Sequence, residues 1–137
     1  MKKVLVFGIF DGVHLGHIDF FRQAKSKGDF LVVVVGQTSA TKKFKGKVPK
    51  YSLRERITFV RDIESVNKVV PGDKRQGSYE VIEREKPDIL CLGYDQKELA
   101  ADLKSWLGLK GLKIALKILR PYKPRKYHSA IINSSTR

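Results

Sequence analysis

The longest apolar run of the chain, Phe30-Leu31-Val32-Val33-Val34-Val35, is rich in β-branched residues and has no polar position in six. A strand with one wet face would alternate, so this run predicts a parallel strand covered on both faces. Val4–Phe7, Lys68–Val70 and Ile89–Leu92 are shorter strands of the same kind, and Leu112–Leu119 alternates as an edge strand does. Between them lie segments of helical spacing. Gly16–Lys27 carries Ile18, Phe21 and Ala24 on one face, with Gly28 placed to end the helix. Leu53–Ile63 carries Leu53, Ile57 and Val60, with Ser52 and Glu55 spaced as a capping box. Ser78–Glu85 and Gln96–Leu107 are the remaining helices, the latter with Leu99, Leu103 and Leu107 on one stripe, while Thr38–Ser52 is polar, broken by Gly46 and Pro49, and reads as a loop. Strands alternating with helices predict an α/β fold: a Rossmann-like open parallel sheet of five strands with flanking helices, its ligands beyond the carboxyl ends of the strands.

A length of 137 residues predicts one domain over residues 1–137. The single cysteine, Cys91, falls inside a predicted buried strand, which suits a structural thiol better than a nucleophile or a disulfide. Met1-Lys2-Lys3 leads into too few apolar residues for a signal peptide and no run reaches membrane-spanning length, so a cytoplasmic protein without a membrane partner is expected.

Charge complicates the picture. The net charge is +14, Lys42, Lys43, Lys45, Lys47 and Lys50 share one loop, and no acid follows Asp102. Such a balance suits polyanions, so a non-enzymatic nucleic-acid binder is one reading of the chain. No nucleic-acid-binding signature accompanies the charge, and anionic small molecules such as triphosphates fit it equally.

The chemistry concentrates in Gly8-Ile9-Phe10-Asp11-Gly12-Val13-His14-Leu15-Gly16-His17, between the first strand and the first helix. Glycines let the backbone turn tightly, and the N-terminus of the helix directs N–H groups and its positive end into the same space. Two of the chain's three histidines fall in this turn, three residues apart, where both rings can donate to a phosphate whose charge grows during reaction. Asp11 beside them is a candidate for capping the turn.

The decapeptide resembles the signature of the HxGH nucleotidyltransferases, the cytidylyltransferase-like family, matching at Phe10, Asp11, His14, Gly16 and His17. Over nearly its whole length the chain is most similar to archaeal-type FAD synthases and glycerol-3-phosphate cytidylyltransferases. The resemblance implies transfer of a nucleoside monophosphate from ATP or CTP to a phosphorylated acceptor, with pyrophosphate released. FMN is the leading acceptor, and glycerol 3-phosphate or a similar alcohol phosphate the alternative. It implies His14, His17, Lys43 and Arg56 as catalytic residues, and Lys43, Lys45 and Lys47 as a loop that closes over the triphosphate. It implies nucleotide contacts at Gly8, Ile9, Phe10, Asp11, His14, Gly16 and His17, then at Gly93, Tyr94 and Asp95 of Leu-Gly-Tyr-Asp-Gln, and at Arg120. Asp95 also stands where an aspartate caps a helix. The family's hydroxyl motif fits two registers, Ser129 or Ser134-Ser135-Thr136. Magnesium near Asp11 and a homodimer are implied as well. Where cytidylyltransferases carry a second arginine, this chain has Glu64, which weighs against the glycerol-phosphate acceptor.

Overall fold

The computed structural model describes residues 1–39, 48–75 and 77–122. Five strands, β1 (Lys3–Gly8), β2 (Phe30–Val35), β3 (Lys68–Pro71), β4 (Ile89–Leu92) and β5 (Ala115–Ile118), form one sheet in the order β3-β2-β1-β4-β5. All four neighbouring pairs are parallel, with Leu5 opposite Val32 on one side and Leu90 on the other. The helices between them are α1 (Leu15–Lys25), α2 (Leu53–Arg61), α3 (Glu80–Glu85) and α4 (Lys97–Lys110). The chain steps outward from β1 to β3, then returns to β4 on the other side of β1. That reversal places a switch point, and hence a crevice, between the carboxyl ends of β1 and β4.

Both faces of the sheet are covered, which accounts for the unbroken apolar runs. Val4, Val6, Val33 and Cys91 pack with Phe21 and Ala24 of α1 and Val60 of α2. Leu5, Val32, Val34 and Leu90 face the other way, toward Val81 and Ile82 of α3 and Leu103, Trp106 and Leu107 of α4. Burial pushes the Cys91 thiol up to about 11, against the pull of Lys27 and Lys117, so it stays protonated and inert at neutral pH. Among the described residues no helix is long and apolar enough to cross a membrane.

Several boundaries differ from the sequence expectation for local reasons. Gly28 does not end α1, which closes at Ser26; a Cβ at Gly28 would stand 2.7 Å from both the Lys2 carbonyl oxygen and Val4 Cγ2, so the glycine allows the chain to pass tightly against the start of β1. Helix α3 begins at Glu80 rather than Ser78 because Tyr79 adopts a left-handed backbone at φ 48°. Strand β5 is limited to the four residues that pair with the four of β4. The capping box of α2 forms as expected, with Glu55 N–H donating to Ser52 Oγ and Ser52 N–H to Glu55 Oε1.

At the amino-terminal rim of the sheet, the buried carboxylate of Glu85, closing α3, accepts from Lys68 Nζ at 3.1 Å through both oxygens. Lys3 Nζ of β1 donates to the Glu85 carbonyl at 2.8 Å. This clasp joins the starts of β1 and β3 at the end of the sheet away from the histidine turn.

Candidate active site

Strand β1 ends at Gly8, where a Cβ would collide with three atoms of the Phe10 ring. Phe10 reaches that position through a left-handed backbone at φ 54° and is buried, its ring 5.4 Å from the His17 ring in an edge-on contact and 5.2 Å from the Phe21 ring. The apolar turn residue thus anchors the polar ones. Gly12, at φ 108°, completes a bend that other residues adopt only with strain.

His14 is the N-cap of α1 and His17 its third residue, and the two form a reciprocal cap. Gly16 N–H donates to His14 Nδ1 at 3.0 Å, and His14 N–H donates to His17 Nδ1 at 3.2 Å. With each Nδ1 accepting, each neutral ring carries its proton on Nε2, a tautomer assigned from these partners. The rings stack at 4.0 Å between centroids, 29° from parallel. The spacing therefore does bring both imidazoles to one side of the helix start. Gly16 is needed here too, since a Cβ would press on His14 Cε1 at 2.8 Å. No acid sits in the first turn of α1, which leaves the positive end of the helix uncompensated and suited to an anion.

Asp11 ties this turn to the chain ahead of α2. Its carboxylate accepts from Lys50 N–H at 2.7 Å and Tyr51 N–H at 2.8 Å. The Lys50 N–H, then the Tyr51 N–H and the charge of Arg56, hold the carboxyl below its usual range against the opposing effect of desolvation. A lowered folded value means the tie contributes stability above the unfolded carboxylate value, about 3.9, and loses it as pH falls through the folded one. Denaturation midpoints of the protein and of Asp11→Asn should therefore differ by a constant amount near neutrality and converge in acid. A gap that persists at the lowest pH would mean that the ionised form is not what the two N–H groups require.

Arg56, which the resemblance implies as a catalytic residue, lies beneath the loops of the site with no exposed surface. Its guanidinium donates to the carbonyls of Ile9 (3.1 Å), Gly36 (2.7 Å) and Tyr51 (3.1 Å) and to Thr38 Oγ1 (3.2 Å). Burial lowers its pKa and the Asp11 charge works against that, leaving the guanidinium charged at neutral pH.

On the β4 side, Gly93 leads into exposed Tyr94 and Asp95, and Asp95 does not cap α4. The helix starts one residue later, preceded by Gln96, whose side chain does something the sequence pattern does not reveal. Gln96 Oε1 accepts from Gly93 N–H at 2.7 Å and its Nε2 donates to the Phe7 carbonyl at 2.9 Å. One amide thus bridges the two strands at the switch point. Gln96→Leu would strand both backbone groups and should cost about 1–3 kcal/mol, read from the unfolding midpoint.

Arg120, beyond β5, is held by its backbone to both ends of the Gln23 amide at 2.9 Å. Its side chain lines a polar cavity of about 260 Å³ with Asp19, Arg22, Gln23, Ser26 and Lys27, to which no residue of the histidine turn contributes. Tyr122 follows, its Cβ 3.7 Å from where a Cβ of Gly16 would stand. Lys43, Lys45, Lys47, Ser129, Ser134, Ser135 and Thr136 lie outside the described residues. Among those described, no group of three or more His, Cys, Asp or Glu could hold a metal ion. A site of one carboxylate completed by substrate oxygens is what the donor set permits, with exposed Asp11 as that carboxylate.

Comparison with known proteins bears on this geometry. The chain is 40% identical over 120 residues to the FAD synthase of Pyrococcus abyssi, covering 88% of this chain and 80% of that protein. It is 38% identical over 137 residues to the FAD synthase of Pyrococcus horikoshii, covering 98% and 92%. Among solved structures, a lipopolysaccharide core biosynthesis protein from Thermoplasma volcanium GSS1 superposes with a TM-score of 0.83 at 32% identity, over 90% of this chain and 99% of that one. Residues 5–135 match the cytidylyltransferase-like family, and with its parallel sheet and paired histidines at the first strand-to-helix turn the chain belongs to that family.

Proposed function

We propose that this protein is an FMN adenylyltransferase, which joins the AMP part of ATP to FMN and releases pyrophosphate. One observation carries the choice of acceptor: identity of 38–41% to FAD synthases along most of the chain. A phosphate oxygen of FMN attacks the α-phosphorus of ATP in line; the bond from that phosphorus to the bridging oxygen of the β-phosphate breaks, and pyrophosphate leaves with the electron pair.

The protein's part is positioning and charge stabilisation. The Nε2–H groups of His14 and His17, with the N-terminus of α1, donate to the α-phosphate as its charge develops. The turn from Gly8 to Asp11 and the Gly93–Asp95 segment flank the nucleotide at the switch point. Lys43, Lys45 and Lys47 and the hydroxyls of Ser129 or of Ser134, Ser135 and Thr136 are assigned to the outer phosphates. Magnesium bound with the triphosphate would offset its charge, and Asp11 is the carboxylate that would hold it. The working protein is proposed to be a cytoplasmic homodimer, which light scattering of the purified protein checks.

The deciding assay incubates the protein with ATP, FMN and magnesium chloride, and in parallel with CTP and glycerol 3-phosphate. FAD and pyrophosphate forming one for one is the expected result. Pyrophosphate only in the CTP reaction would replace the acceptor, and nucleic-acid binding without turnover of either pair would overturn the enzymatic reading.

A further inference from the structure

We infer that Arg56 is a positioning residue, one that sets the histidine pair by tying together the loops beyond β1 and β2 and the chain before α2, and does not itself grip the nucleotide. The inference rests on the adenylyl-transfer reading for its kinetic consequence and on the geometry alone for its structural one.

The guanidinium holds four acceptors on three segments. Ile9 lies beyond β1, Gly36 and Thr38 beyond β2, and Tyr51 ahead of α2. A guanidinium has five N–H donors in a planar fork. Here Nε, Nη1 and Nη2 are all engaged, Nη1 twice, and the residue has no exposed surface. A phosphate would have to displace backbone carbonyls inside the protein to reach it.

The path to the histidines is short and made of packed groups. Fixing the Ile9 carbonyl fixes the peptide that enters Phe10, whose left-handed backbone aims its ring at His17. His17 in turn accepts from the backbone of His14. Asp11, one residue on, is held from the same third segment, at Lys50 and Tyr51. Arg56 and Asp11 thus hold the turn from opposite charges, and both reach Tyr51, one at its carbonyl and the other at its N–H.

Lysine keeps the charge of Arg56 but cannot reach three segments at once. Arg56→Lys should therefore lower kcat with ATP and FMN by about a hundredfold, the order expected when reacting groups are misplaced, while KM for ATP moves by less than about threefold. Thr38→Val, at an exposed position, removes one partner of the fork and should lower kcat by a few-fold with the same KM. Long-range proton–nitrogen NMR spectra of the histidine rings supply a readout independent of turnover. In the unaltered protein both rings should show the Nε2–H tautomer, and in Arg56→Lys their nitrogen shifts should average toward mixed tautomers. If Arg56→Lys does not fold, by far-UV circular dichroism, Thr38→Val must show the kcat loss and displaced ring signals. A raised KM for ATP with kcat preserved, or ring signals unchanged in every folded variant, would overturn the inference. If the unaltered protein forms no FAD, the adenylyl-transfer reading fails, and the ring spectra still decide whether Arg56 positions the histidines.

Discussion

Alanine at both His14 and His17 should slow FAD formation by about a thousand- to ten-thousand-fold, while the dissociation constant for ATP changes by less than about tenfold. Each lost donor to a developing oxyanion is worth about a hundred- to a thousandfold, and two that act on one phosphoryl group combine less than multiplicatively. The same side chains also cap α1, so the double variant would lose about 1 kcal/mol or more of stability for a reason unrelated to chemistry. His14→Asn separates the two effects. Asparagine is a good N-cap and restores an acceptor for Gly16 N–H, but it carries no ring Nε2–H. Its unfolding midpoint should stay close to that of the unaltered protein and its kcat should fall about a hundredfold or more. Near-normal turnover in His14→Asn would remove His14 from the proposed chemistry and leave it only its cap.

A single methyl group at the end of β1 should lower stability and turnover together. Gly8→Ala places a Cβ inside the space of the Phe10 ring, which is packed against Phe21 and His17 and follows from a left-handed backbone with little freedom to move aside. Overpacking of that kind costs about 1–3 kcal/mol, and here it also pushes on the ring that seats His17, so turnover should fall with stability. Two comparisons identify the cause. Adding Phe10→Leu to Gly8→Ala should recover part of the lost stability, a positive coupling that independent sites do not show. Gly108→Ala, inside α4 with open space where its Cβ would stand, should be neutral or stabilising by up to about 1 kcal/mol. Denaturant unfolding of these variants checks both statements.

Much of this arrangement is legible along the chain. Six apolar residues from Phe30 to Val35 require two covered faces, and the β2 strand sits in a sheet that has them. The histidine turn is recognisable because strand, glycines and helix agree around it, and the Ser52–Glu55 cap because it is local. The rest depends on contacts far apart in sequence. Asp11 meets Lys50 and Tyr51 some forty positions away, and Gln96 reaches back to Phe7. Arg56 does leave a trace: it lies three residues after Leu53 and four before Val60, on the stripe that faces the core. A charged residue on that stripe must find acceptors inside, and here they are loop carbonyls. Gly28 reads as a helix end because glycine usually marks one, whereas close passage of two chain segments leaves no local pattern. Tyr79 in a left-handed conformation shortens α3 against its own sequence preference.

The Lys3–Glu85–Lys68 clasp sits at the rim of the sheet opposite to the one where the chemistry is placed. The clasp therefore stands apart from every group assigned to adenylyl transfer. An engineer can strengthen or weaken this lower fastening without replacing a side chain assigned to the chemistry.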